Sequence, residues 1–144
     1  MKKLTKKKKR IPTDIEILDI IYNSYYDEFT HYTNESTSRN TKIYLPIDIS
    51  EVADKLKVDG DVVFGRLYYH LENKYGYKNE DDSKISFFAL KAGNDLHCVN
   101  FPYLASVLAE LRDKQKEYRT GTVIALFSLC ISIVSLIVSL LVYI

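Results

Sequence analysis

The sequence predicts a small α+β domain followed by one membrane-spanning helix, and three observations carry that prediction. The last 24 of the 144 residues, Gly121 to Ile144, contain no charged side chain, although Asp, Glu, Lys and Arg make up 27% of the whole. Two stretches, Thr13-Asp-Ile-Glu16 and Asp48-Ile-Ser-Glu51, have capping-box form and each opens apolar residues at helical spacing. Two β-rich runs, Lys84 to Leu90 and Leu96 to Phe101, flank a loop of hairpin length, Lys91 to Asp95, that contains Gly93.

Residues 1–12 read as a basic, disordered arm. Lys2, Lys3, Lys6, Lys7, Lys8, Lys9 and Arg10 supply seven of the 20 Lys and Arg, which hides the character of the remainder behind a formal charge of +1. From Ile11 onward 13 Lys and Arg face 19 Asp and Glu, a net of −6. An acidic domain with a basic tail indicates an interaction arm and not a uniformly basic nucleic-acid surface. The arm, Lys6 to Arg10 above all, suits DNA phosphates or anionic lipid headgroups, and a merely solvated tail explains it equally. It is no cleavable export signal, because Asp14, Glu16 and Asp19 fall where an apolar stretch is needed.

Residues 13–112 form the predicted domain. Ile15, Leu18, Ile21, Tyr22 and Tyr25 give a first helix its apolar face, to about Phe29. The polar run from Thr30 to Lys42 reads as a loop, and Ile43 to Ile47 as one short strand interrupted by Pro46. A short second helix turns Ile49, Val52, Ala53 and Leu56 inward, and a turn at Val58-Asp-Gly60 follows. A third helix runs from Asp61 to Tyr75, ended by Gly76 as a left-handed cap. At 100° per residue Phe64, Leu67, Tyr68, Leu71 and Tyr75 share its inner arc, while Val62, Arg66, Tyr69, His70 and Asn73 share the outer one. After the hairpin, Pro102 opens a fourth helix with Leu104, Val107, Leu108 and Leu111 inward.

This succession of helix, short strand, helix, tight turn, helix, hairpin and helix resembles a winged helix-turn-helix domain over residues 13–112. The resemblance implies that the Asp61 to Tyr75 helix is the recognition helix, offering Arg66, Tyr69, His70, Asn73 and Lys74, with Lys91 in the wing. Arg66 would then suit guanine and Asn73 adenine. Against DNA stand the net negative domain and Asp59, Asp61 and Glu72 beside the same helix, since phosphate neutralisation supplies most non-specific affinity. Winged helices also dock proteins. Two readings follow: an adaptor presenting a protein-interaction surface to an unidentified cytoplasmic protein, and a membrane-tethered DNA-binding regulator.

Residues 113–120 form a basic juxtamembrane helix, and 121–144 the span. At about 1.5 Å per residue, 24 residues exceed a hydrocarbon core of roughly 30 Å. Arg112, Lys114, Lys116 and Arg119 precede the span, so the positive-inside rule predicts a cytoplasmic N-terminal domain, at the inner membrane if the source is bacterial. With nothing after Ile144, the arrangement resembles tail-anchored proteins and predicts no far-side sensor. Gly121, Ala125, Ser128, Ser132, Ser135 and Ser139 recur at spacings of four and three, one stripe of small residues. That stripe suits packing against a second copy or another membrane protein, or the serines bond back to their own i−4 carbonyls.

Catalysis finds no foothold in the sequence. His31, His70 and His97 fall in separate elements without metal-ligand spacing, and neighbours on a strand such as His97 and Cys98 face opposite ways. No glycine-rich phosphate loop occurs, and Glu80-Asp-Asp82 reads as solvated loop. No enzyme, cofactor or metal is expected, and Cys98 and Cys130 are expected as free thiols.

Overall fold

The computed structural model describes residues 10–32, 39, 41–80 and 82–143, so Lys6 to Lys9 of the basic arm lie outside the described residues. The chain divides into two units, Met1–Leu108 and Ala109–Ile144. The first is α+β with small sheets. Its elements are α1 (Asp14–Thr30), β1 (Tyr44–Pro46), α2 (Ile49–Leu56), α3 (Gly60–Gly65), a π-helical turn (Arg66–Leu71), α4 (Glu72–Tyr75), β2 (Tyr77–Lys78), β3 (Lys84–Ile85), β4 (Phe88–Ala92) and β5 (Asp95–Asn100). The last helix, α5, is assigned from Phe101 to Tyr143.

Helix α1 starts where its sequence demands. The Thr13 hydroxyl accepts from the Glu16 N–H at 3.3 Å, and the Glu16 carboxylate accepts from the Thr13 N–H at 2.9 Å. The box is complete, satisfying two of the orphan donors of a helix N-terminus. Ile17, Leu18, Ile21 and Tyr25 are its buried residues. At α2 the expected box is one-sided. Asp48 accepts from the N–H groups of Ser50 and Glu51, but Glu51 turns to Lys55 at 2.6 Å and to the Tyr25 hydroxyl at 3.1 Å. Tyr25 in turn accepts from the Asp48 N–H at 2.8 Å, so one phenol pins α1 to the start of α2.

The hairpin differs from its predicted extent. β4 and β5 pair antiparallel with Ala92 opposite Asp95, leaving only Gly93 and Asn94 in the turn. Gly93 sits at φ 63, the positive value that a two-residue hairpin requires at its first central position. Lys84–Ile85 breaks away from β4 to pair with Tyr77–Lys78, forming a separate two-stranded ribbon. β1 adds to the other edge of β5, giving a three-stranded order β1-β5-β4.

The core lies between this sheet and the helices. Phe87, Phe88, Phe101, Leu18, Leu45, Leu67 and Leu104 are all buried. Tyr22 and Phe29 of α1 stack on Phe101 with ring centroids 5.5 and 4.7 Å apart. Each such side chain contributes about 1.5 to 3 kcal/mol by leaving water. Both cysteines are free, and burial pushes the Cys98 thiol up from its ordinary value.

Candidate functional site

The predicted third helix is one helical run built from α3, the π-helical turn and α4. Asp59 caps it by accepting from the Asp61 N–H at 2.9 Å, so the helix begins at Gly60. Within the π-helical turn the Glu72 N–H bonds to the Leu67 carbonyl, five residues back. The widened turn changes which residues face inward. Val63, Leu67, Leu71 and Glu72 are buried, while Phe64, Tyr68 and Tyr75 of the predicted inner arc are only half-buried.

Glu72, one of the acids counted beside this helix, is thus turned into the fold. Its Oε2 accepts from the backbone N–H groups of Phe87 and Phe88 at 2.7 and 2.9 Å, and its Oε1 lies 2.8 Å from Lys84 Nζ. Burial of a carboxylate is tolerated because its oxygens meet donors. The hydrogen bond to Glu72, and then its charge, raise the Lys84 ammonium above its ordinary value. One side chain thus ties the helical run to the start of β4. A carboxylate four residues after Tyr68, close to the inner arc, was the available signal.

Gly76 ends the run by a different device from the left-handed cap expected. It is extended, at φ −61 and ψ 136, with its N–H on the Glu72 carbonyl. A Cβ there would stand 2.6 Å from that carbonyl oxygen and 2.7 Å from Glu72 Oε1. Glycine is required for close approach, not for a positive φ.

The residues predicted to read a partner divide among several places. Arg66 Nε lies 2.5 Å from Asp14 Oδ1, and His70 Nε2 lies 3.4 Å from Asp14 Oδ2. Asp14, in the first turn of α1, thus engages the two side chains best suited to gripping nucleic acid. Tyr69 is 72% exposed. With Asn73 it lines a groove of about 660 Å³, whose other walls are Tyr68, Tyr77, Lys78 and Lys84. Lys74 lies over the Tyr75 ring at 4.8 Å, and Lys91 is exposed on β4 opposite Leu96. Arg10, the described cation of the basic arm, pairs with Glu16.

His97 rests half-buried against the rings of Phe64 and Phe88, and His31 bonds to the Asp27 carbonyl at 2.7 Å. Among the described residues no group of His, Cys, Asp and Glu could hold a metal ion.

In the second unit α5 is long and apolar enough to cross a membrane by length and composition, with mean hydropathy 2.8 in its most apolar window. The small-residue stripe lies on its exposed surface, and nothing approaches within 4 Å of a Cβ built on Gly121. Ser128 donates to the Ile124 carbonyl at 3.0 Å and Ser132 to the Ser128 carbonyl at 2.8 Å. These two hydroxyls thus follow the i−4 alternative. Ala125, Ser135 and Ser139 are exposed on the same helix.

No protein-family model matches this chain, and neither a curated protein nor a solved structure is significantly similar to it.

Proposed function

We propose that this chain is a membrane-anchored winged-helix adaptor that presents a protein-interaction surface at the cytoplasmic face of a membrane. The observation that carries the reading is the engagement of Arg66 and His70 by Asp14, which leaves an aromatic and amide surface, Tyr69 and Asn73, facing solvent. On the predicted recognition helix Lys74 is the one cation outside that pair, lying over the Tyr75 ring, which is few contacts for a run of phosphates, and tyrosine is a residue of protein interfaces. The succession of α1, β1, α2, the helical run, the β4–β5 hairpin and α5 supports the winged-helix assignment. The apolar α5 supports anchoring, and Arg112, Lys114, Lys116 and Arg119 ahead of the uncharged stretch support a cytoplasmic domain.

The test uses the full chain in nanodiscs of neutral lipid, titrated with random duplex DNA across a salt series. The adaptor reading expects no saturable binding at low salt. Affinity that falls steeply with salt and disappears in Arg66→Ala establishes a tethered DNA-binding regulator instead.

A further inference from the structure

The groove beside Tyr69 has a chemistry that selects among protein partners. Its walls come from two elements: the helical run supplies Tyr68, Tyr69 and Asn73, and the β2–β3 ribbon supplies Tyr77, Lys78 and Lys84. Tyr68 and Tyr69 meet at right angles with centroids 5.0 Å apart. Tyr77 packs edge-on to Tyr103 at 6.0 Å, and the Tyr103 hydroxyl donates to the Tyr75 carbonyl at 3.0 Å. The aromatic walls are thereby braced by the fold.

The acid that lines the groove, Glu72, faces two backbone N–H groups and Lys84. The charge left toward solvent is that of Lys78, whose side chain is 69% exposed and 3.8 Å from the still more exposed Asp82, together with the outer part of Lys84. Phenol and amide groups add further donors. A donor-rich, cationic aromatic groove on a chain that is net negative from Ile11 onward complements an anionic occupant with flat apolar side chains.

We propose that this groove binds an acidic, aromatic-containing peptide segment of a partner protein; this rests on the adaptor reading and specifies its ligand. Carboxylates of the segment meet Lys78 and Lys84, and its rings pack against Tyr69 and Tyr77.

The experiment is fluorescence anisotropy on the full chain in neutral nanodiscs, with a short labelled peptide of alternating Glu and Phe. Peptides with Gln or Lys in place of Glu, and a short single-stranded oligonucleotide, are the comparison probes. The Glu peptide is expected to bind saturably and the Lys peptide not at all. Tyr69→Ala and Lys78→Glu alter exposed side chains outside the core, and each is expected to weaken binding by about tenfold or more. Lys57→Glu, the same charge change on an exposed residue at the end of α2 and outside the groove lining, is expected to leave binding unchanged. Equal affinity for the Glu, Gln and Lys peptides, or equal weakening by Lys57→Glu, overturns the proposal. If every peptide fails while a photo-crosslinker at position 69 still joins the chain to one protein in its native membrane, the acidic class alone is lost. Salt-sensitive oligonucleotide binding that vanishes in Tyr69→Ala overturns the adaptor reading as well.

Discussion

The two units hold the same apolar residue types in opposite settings. In the first, Phe87, Phe88, Leu18 and Leu71 are almost wholly out of solvent, each against another element of the fold. In the second, Phe127, Leu129, Ile133 and Leu141 are 67, 57, 49 and 69% exposed along α5. A helix with one apolar stripe needs a neighbouring element, whereas a helix apolar on all sides needs an apolar surrounding. The first unit, by contrast, depends on a small number of polar anchors, Glu72, Tyr25 and Asp14, that fix how its elements meet.

The sharpest way to break that contrast is Glu72→Ala. It strands the N–H groups of Phe87 and Phe88 in the core and unpairs Lys84, and is expected to cost about 3 to 5 kcal/mol. Chemical denaturation of the full chain in micelles, followed by near-ultraviolet circular dichroism, reads this loss; a change below about 1 kcal/mol removes Glu72 from the role given to it. A charge in the second unit makes the complementary break. Ile133→Lys is expected to disfavour membrane insertion by about 2.5 to 3.5 kcal/mol, seen as release from membranes in alkaline extraction. Full retention would mean that lipid does not surround this helix.

Gly76→Ala sharpens the account of Glu72, because the new methyl group meets the Glu72 carbonyl without any torsional penalty. An expected destabilisation of about 1 to 3 kcal/mol should appear in the same denaturation assay. A neutral outcome would show that the backbone yields at this point.

Tyr25→Phe is the smallest of these changes, at about 1 to 2 kcal/mol, since it removes one hydrogen bond to Glu51 and the acceptor for the Asp48 N–H. It also carries a pH signature. Burial first, and then the hydrogen bond to Glu51, push the Tyr25 phenol from 10.0 up to about 12. The protonated phenol is the form the fold prefers, so its contribution is complete below pH 10 and lost as pH rises through about 12. Lys84, also raised, acts in the same direction. Stability should therefore fall in alkali, with a shallower fall in Tyr25→Phe; identical alkaline limbs would count against the bridge. Glu51 adds an acid-side effect of opposite sign. Its hydrogen bonds to Lys55 and then Tyr25 lower its carboxyl, so that contribution is lost as pH falls.

Local signals carried much of the fold. Thr13 and Glu16 announce the start of α1 because both halves of the cap lie within one helical turn, and Gly93 announces the hairpin for the same reason of proximity. The uncharged final stretch needs no tertiary information at all. What stayed hidden is non-local. Asp14 and Arg66 are 52 residues apart, and nothing in either neighbourhood marks the other. The π-helical turn displaces the inner arc by an amount that a constant 100° step cannot express, and Glu72, outside the arc expected from that step, is buried. Of the predicted binding residues, Tyr69 and Asn73 meet in one groove, while Arg66 and His70 are drawn to Asp14 by a partner outside their own helix.

Pro46 carries a consequence for how copies of this molecule can meet. Ile47 donates its N–H to the His97 carbonyl, and Phe101 donates to the Ile43 carbonyl, so odd-numbered residues of this stretch face β5. The nitrogen of Pro46, paired opposite Cys98, therefore points off the free side of the sheet, where a missing donor costs the ladder nothing. A foreign strand arriving there finds the Tyr44 N–H but no donor at Pro46. Strand-to-strand pairing of two copies along this border is therefore interrupted at one position, and association there leans the more on side chains.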